Sequence, residues 1–274
     1  MSKRNKRGTV SSVHRFITML LGIILIVSVM PVQAEEKPAV TLDAEVLVVS
    51  KYIWRGLEVN EDFILQPSIT TRVGGFSFNA WGNMDLTNFG EDECVYTADC
   101  KDRSGQFTEV DLTIDYTYSW DKFSLSSGII NYLFPNWDES EDTYEFYLSS
   151  SVDVLLQPTL TIYRDFDEVG GFYANLSIAH SFALGEKLSL DLSTSIGYAD
   201  SDYNKFYFGV DDSSLVDFNI GASVPISVWE NVTVTPVLNY TSLVDNDLRD
   251  AVEAGSCCDN EDNIYGGISI AVSF

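Results

Sequence analysis

The sequence predicts an all-β fold, a transmembrane antiparallel β-barrel of about 12 strands with both termini on the periplasmic side. Three observations carry that prediction. Apolar residues recur on alternate positions in runs of about ten residues, the length of a tilted membrane strand. In one run Val110, Leu112, Ile114, Tyr116 and Tyr118 alternate with Glu109, Asp111, Thr113, Asp115, Thr117 and Ser119. Successive side chains of a strand point to opposite faces, so one face meets an apolar medium and the other meets water or polar partners. The connections between runs alternate short and long. The N-terminus has the form of an export signal, and nothing from 35 to 274 reads as a spanning helix, which leaves strands to cross any bilayer.

Residues 1–34 are the expected cleaved signal peptide, and 35–274 the barrel. Lys3, Arg4, Lys6, Arg7 and Arg15 precede an apolar stretch from Phe16 to Met30, and Pro31-Val32-Gln33-Ala34 supplies a peptidase site. The apolar run is shorter than the roughly 20 residues a spanning helix needs, which favours cleavage after Ala34 over a retained anchor. Cleavage removes five of the 16 basic residues and none of the 41 acidic ones, so the formal charge falls from −25 to −30 (−25 − 5). Such a chain repels phosphates, which argues against a nucleic-acid partner.

Twelve segments follow in order, an even number as single-chain bacterial barrels have. The first, 41–56, sets Leu42, Val46, Val48, Tyr52 and Trp54 on the lipid-facing parity and Asp43, Glu45, Lys51 and Arg55 on the other, and Gly56 ends it. Segments 63–73 and 76–86 are joined by Gly74-Gly75. Segments 107–119 and 123–134 are joined by Trp120-Asp121-Lys122; the second has a poorer register, because Ile130 and Tyr132 fall on its polar face. Segments 142–154 and 157–166 meet at Leu155-Leu156. Segments 171–183 and 187–199 meet at Leu184-Gly185-Glu186, and the latter alternates cleanly. In 214–227 Val216, Phe218, Ile220, Val224 and Ile226 oppose Asp217, Asn219, Gly221 and Ser223. Val228-Trp229-Glu230 leads to 231–243, and 263–274 closes the set. The connections 87–106, 200–213 and 244–262 are long and acidic, the mark of extracellular loops opposite short periplasmic turns.

Aromatic residues near strand ends fit membrane interfaces, where an amphipathic ring sits between hydrocarbon and water. Phe76, Trp120, Phe123, Phe182, Trp229 and Phe274 are expected in the periplasmic girdle, and Tyr52, Trp54, Tyr118, Trp137 and Tyr198 in the outer one. The last strand alternates and ends on Phe274, which resembles the signal read by the barrel-assembly machinery. That machinery, outer-membrane lipid and lipopolysaccharide are the expected partners, with a small-molecule or ion solute. A soluble β-sandwich also alternates, but strands of about eleven residues and the loop rhythm favour the barrel.

Val48-Val49-Ser50-Lys51-Tyr52-Ile53-Trp54-Arg55-Gly56, followed by Gln66, Pro67, Ser68, Ile69 and Thr70, resembles the N-terminal signature of the TorF family of porins. The resemblance implies a small proteobacterial outer-membrane barrel and lends a class rather than a substrate. Independently of it, Lys51 and Arg55 form either a charged constriction with Arg72 or salt bridges that hold the barrel in register. The second is the commoner use, since half-buried charges are normally paired.

With parity assigned, the pore-lining candidates are Lys51, Arg55, Arg72, Trp81, Asp85, Glu109, Asp111, Asp115, Glu145 and Asp191, with Asp43, Glu45, Asp153 and Asp217 on the same face. The surplus of carboxylates favours cations. A bore this narrow suits small solutes. Trp81, Tyr147, Tyr163 and Tyr173 either fill it or offer stacking platforms, and packing is the commoner use. The expected function is a passive, cation-preferring channel for small solutes or ions; the alternative is a non-conducting structural or adhesive barrel. An enzyme is disfavoured, because His180, the one histidine after the signal, has lipid-facing parity and no loop partner for general-base work. No cofactor is implied. The acidic loop clusters lack the spacing of a calcium loop, so a solvated rim is the simpler reading and no metal ligand is assigned. Cys94, Cys100, Cys257 and Cys258 fall in predicted extracellular loops of an exported chain. Four cysteines allow three pairings; Cys94 with Cys100 is the first choice, and a bridge between the two loops is the other.

Overall fold

A computed structural model describes residues 40–87, 103–136, 142–255 and 260–274. The expected signal peptide, Trp137 and all four cysteines lie outside the described residues. In chain order the elements are β1 (Val40–Val49), β2 (Tyr52–Trp54), β3 (Leu57–Asn60), β4 (Ile64–Val73), β5 (Phe76–Asp85), β6 (Phe107–Trp120), β7 (Phe123–Leu133), β8 (Thr143–Val152), β9 (Thr159–Asp165), β10 (Phe172–Ala183), β11 (Ser189–Ala199), α1 (Ser201–Phe208), β12 (Ser214–Ser223), β13 (Ile226–Trp229), β14 (Val232–Leu243), α2 (Asn246–Glu253) and β15 (Asp262–Ser273).

Every wall strand pairs antiparallel with its neighbour in the chain, and two further pairings close the sheet into a ring of twelve: β1 with β15, and β12 with β14. β13 is an extra piece that pairs with β14 where Val224 and Pro225 interrupt the line of β12; proline has no N–H to give to a ladder, so the break falls there. Closure removes the sheet edges that an open sheet would expose.

The outward face is an apolar belt. Val46, Ile69, Phe78, Leu112, Ile114, Leu125, Leu148, Leu160, Ile162, Leu176, Leu192, Ile220, Leu238, Ile268 and Ile270 are all exposed on it. A patch that continuous marks a lipid-facing surface in a barrel. The inward face carries hydroxyl ladders: Thr117 with Ser126 at 2.7 Å, Ser119 with Ser124 at 2.8 Å and Ser149 with Thr161 at 2.8 Å. The first two fix the register of β7 as expected from the sequence, so Ile130 and Tyr132 do face inward.

Phe76 packs on Tyr116, and Tyr118, Trp120 and Phe123 stack in series with centroids 5.8 and 5.7 Å apart. Tyr118 therefore belongs to the girdle at the short-turn end rather than the outer girdle, because β6 runs down to the turn at Asp121. Tyr198 remains at the long-loop end, against Phe172.

Two of the long loops contain helices. Asp200 caps α1 by accepting from the Tyr203 N–H at 3.0 Å, and Gly209 ends it in the left-handed conformation. Asp245 caps α2 through the N–H groups of Asp247 and Leu248. Their inner faces bury Tyr203, Phe208, Leu248 and Val252 with Leu57, Tyr173, Ala199, Val216 and Leu243 in one cluster. Val216 was expected toward lipid. A bulge turns it inward: Ile196 pairs with Phe218 and Tyr198 with Leu215, so Val216 and Asp217 together oppose Gly197.

Candidate functional site

The lumen is shaped by a segment that leaves the wall. β1 ends at Val49, the Ser50 N–H donates to the Gly266 carbonyl at 3.0 Å, and the chain then turns in. Tyr52–Trp54 and Leu57–Asn60 form a separate two-stranded sheet rather than a continuation of β1. Trp54 pairs with Leu57 around a two-residue turn of Arg55 and Gly56, both with positive φ (49° and 86°), the turn whose twist matches a hairpin. A Cβ on Gly56 would lie 2.7 Å from Leu243 Cδ2 and 3.0 Å from Asp217 Cβ, so the tip abuts the wall at β12 and β14. Tyr52 and Trp54 are accordingly not lipid-facing. Tyr52 packs against Trp81 with Val49 and Ile64, and Trp54 against Tyr132, Tyr203 and Tyr207.

Arg55 is the centre of the arrangement. Its Nη1 and Nη2 donate to Glu145 Oε1 and Oε2 at 2.8 and 2.7 Å, a bidentate pair with side chains only 9% and 5% exposed. The Tyr132 hydroxyl donates to the same carboxylate at 2.8 Å. Trp54, Tyr163 and Tyr173 surround the guanidinium at 4.3 to 4.6 Å from its carbon. Tyr173 in turn donates to Asp217 Oδ1 at 2.8 Å.

The base of the hairpin is tied elsewhere. Lys51 Nζ donates to Glu58 Oε2 at 2.6 Å and to Asn263 Oδ1 at 3.0 Å, and Asn260 Nδ2 donates to the same glutamate. Asn60 Nδ2 donates to Asp85 Oδ1 at 2.9 Å, which also accepts from Asn83 and Thr108. Among the expected pore-lining residues, Lys51, Arg55, Trp81, Asp85, Glu109, Asp111 and Glu145 thus lie toward the hairpin half of the lumen, where Trp81 faces Asp111 across the ladder. Trp81 is packed by Tyr52. Glu109 is buried, and Asp111 Oδ1 is buried without a hydrogen-bond partner.

The remaining candidates lie toward the short turns. Arg72 pairs with Asp43, both partly exposed. Asp115 sits beside Tyr147 and Ser77, and Asp191 accepts from Ser181 Oγ at 2.6 Å. Asp153, expected on the inward face, lies instead in the exposed turn after β8, because β8 stops at Val152. His180 is on the outward face with Nδ1 2.7 Å from the Leu155 carbonyl oxygen. Sequence reasoning missed Leu57 and Glu58, which the hairpin carries inward, and Asp165, whose Oδ1 accepts from the N–H groups of Asp167, Val169 and Gly170 at the rim. Among the described residues, no group of His, Cys, Asp and Glu could hold a metal ion.

Two cavities of about 330 Å³ adjoin the hairpin. One is lined by Tyr52, Leu57, Glu58, Glu109, Glu145, Asp165 and Tyr207. The other is lined by Arg55, Ile130, Tyr163, Tyr173, Asn175, Asp217 and Asn219. Trp54 and Tyr132 line both.

Residues 33–234 match the model of a family described as a bacterial protein of unknown function, Gcw_chp. A solved NanC porin is similar over 84% of this chain and 98% of its own, at 12% identity and a TM-score of 0.51. A KdgM porin in complex with disordered oligogalacturonate is similar over 85% and 99%, at 11% identity and a TM-score of 0.50. At these identities the likeness is one of fold, and the fold is that of bacterial outer-membrane porins. A search of curated proteins finds no match.

Proposed function

The chain belongs to the Gcw_chp family of bacterial proteins, and we propose that it is a passive outer-membrane channel for small solutes or ions, with cation preference. The observation that carries this reading is a closed ring, apolar outside and polar inside, in which Lys51, Arg55 and Arg72, the inward bases on or beside the first two wall strands, are each matched to a carboxylate. Lys51 pairs with Glu58, Arg55 with Glu145 and Arg72 with Asp43. Asp115, Asp191 and Asp217 are then in excess, with Glu109 and Asp111 hydrogen-bonded to each other and sharing a proton, and a narrow passage lined by surplus carboxylates raises the local concentration of cations. The TorF likeness of residues 48–56 supports the same class. Cleavage after Ala34, periplasmic termini, delivery to the assembly machinery through the strand ending at Phe274, and contact of the acidic rim with lipopolysaccharide belong to the same proposal. No catalytic role is proposed.

The test is the current through a planar bilayer holding refolded residues 35–274 under a KCl gradient. Discrete steps with a cation-selective reversal potential are expected. Anion-selective or unselective steps refute the preference, and silence from a correctly folded barrel refutes the channel. One observation favours a second reading, a non-conducting barrel: the hairpin is packed among buried aromatic side chains at the mouth.

A further inference from the structure

We infer that the hairpin Tyr52–Asn60 is the constriction of the lumen and that the Arg55–Glu145 pair is its latch and charge filter. The inference rests on the channel reading above. Its first support is reach. From its origin beside β1 the hairpin touches β5 through Tyr52 and Asn60, β7 through Trp54, β8 to β10 through Arg55, and β12 and β14 through Gly56. Lys51 holds Asn263 of β15, and Glu58 holds Asn260 two residues before that strand. A segment with partners around so much of the ring crosses the bore rather than lining it, and the two cavities that share Trp54 and Tyr132 lie against it.

The second support is independence from the wall. β2 and β3 pair only with each other, whereas β1 pairs with β4 along its whole length, from Val40 with Val73 to Val49 with Ile64. The ring is complete without the hairpin, so what the hairpin adds is obstruction.

The third is chemistry. Apolar side chains would fill this space at no desolvation cost, whereas a buried ion pair commonly contributes less stability than well-packed hydrophobic residues of the same volume. Arg55 instead places a fixed cation where the hairpin crosses the bore, bonded to one carboxylate and within electrostatic range of Asp111. The sign of the charge there then depends on two side chains whose removal acts in opposite directions.

Three proteins test this beside the wild type: one with Tyr52–Glu61 replaced by Asn-Gly, one with Arg55→Gln and one with Glu145→Gln. Heat-modifiable gel migration verifies folding, and single-channel current under a KCl gradient is the readout. The shortened protein should conduct several-fold more than the wild type. Arg55→Gln should shift the reversal potential toward stronger cation preference and Glu145→Gln toward weaker. A silent wild type beside a conducting shortened protein refutes the open-channel reading and leaves the hairpin as a full plug, so the two failures are told apart. Equal conductance with and without the hairpin, or unmoved reversal potentials in both point variants, overturns it while leaving the channel intact. If the shortened chain does not fold, the opposed shifts of the point variants decide alone. Silence from every folded protein defeats the channel reading itself and the inference with it.

Discussion

Replacing Glu145 with alanine removes both acceptors of the Arg55 guanidinium and the acceptor of the Tyr132 hydroxyl in one step. The two charged side chains are 9% and 5% exposed, so water does not readily take the place of the carboxylate. Removing one partner of such a pair costs about 3–5 kcal/mol, because the other charge stays buried. The three rings around the guanidinium persist in the variant and keep part of its stabilisation, which places the expected loss at the lower end, about 3 kcal/mol, or roughly a hundredfold in the unfolding equilibrium. Urea unfolding of the barrel in lipid vesicles, followed by tryptophan fluorescence, reads this directly, since Trp54 lies 4.5 Å from the Arg55 guanidinium carbon. The double variant Arg55→Met with Glu145→Met leaves no unpaired charge and should recover most of the loss. A single-variant effect below about 0.5 kcal/mol, the size of an exposed pair, refutes the buried latch; so does a double variant less stable than the sum of the two single ones.

Gly56→Ala should cost about 1–2 kcal/mol from the left-handed backbone alone, and more from displacing the Leu243 side chain; full stability in the same assay would show that the turn does not seat against β14. Asp111→Asn combined with Asp115→Asn should lower cation preference in the bilayer, and an unchanged reversal potential would remove both residues from the ion path. Asp165→Ala should release three backbone N–H groups and the Thr143 hydroxyl. Only the Thr143 bond is fully buried, and an unsatisfied buried group costs about 1–3 kcal/mol; the part-buried N–H groups lose their anchor to water, so protease added to whole cells should cut within 166–171 faster than in wild type, and equal cleavage rates would show that the loop is held by something else.

The wall was legible because a half-buried strand has a period of two and the short turns punctuate it. Even the awkward register at Ile130 and Tyr132 was placed correctly, since neighbouring Ser124 and Ser126 kept the polar parity. The hairpin was not legible for the same reason that the strands were. Lys51, Tyr52, Trp54 and Arg55 continue the alternation of β1 without a break, and a period of two reads the same whether a strand climbs the wall or turns into the bore. The turn itself was disguised, because Arg55 stands where asparagine or aspartate usually announces a hairpin of this type; Leu57 and Val59 mirroring Trp54 and Tyr52 were the signal available. Of the helices, both carried readable caps in Asp200, Gly209 and Asp245, but the acidic composition of their loops masked them. The bulge at Val216 left no trace in the alternation, because a one-residue insertion shifts the faces only on one side of it.

The ring is sealed by β1 against β15, the first described strand against the last. Every other neighbouring pair of wall strands can form as soon as its hairpin exists, but this seam joins opposite ends of the chain and must wait for the whole sheet. Until then one edge of β1 and one edge of β15 are open to any other strand, and contacts so distant in sequence form slowly. The unsealed sheet is therefore the state most exposed to mispairing during biogenesis, and a lesion in β1 or β15 should leave aggregates rather than a smaller barrel.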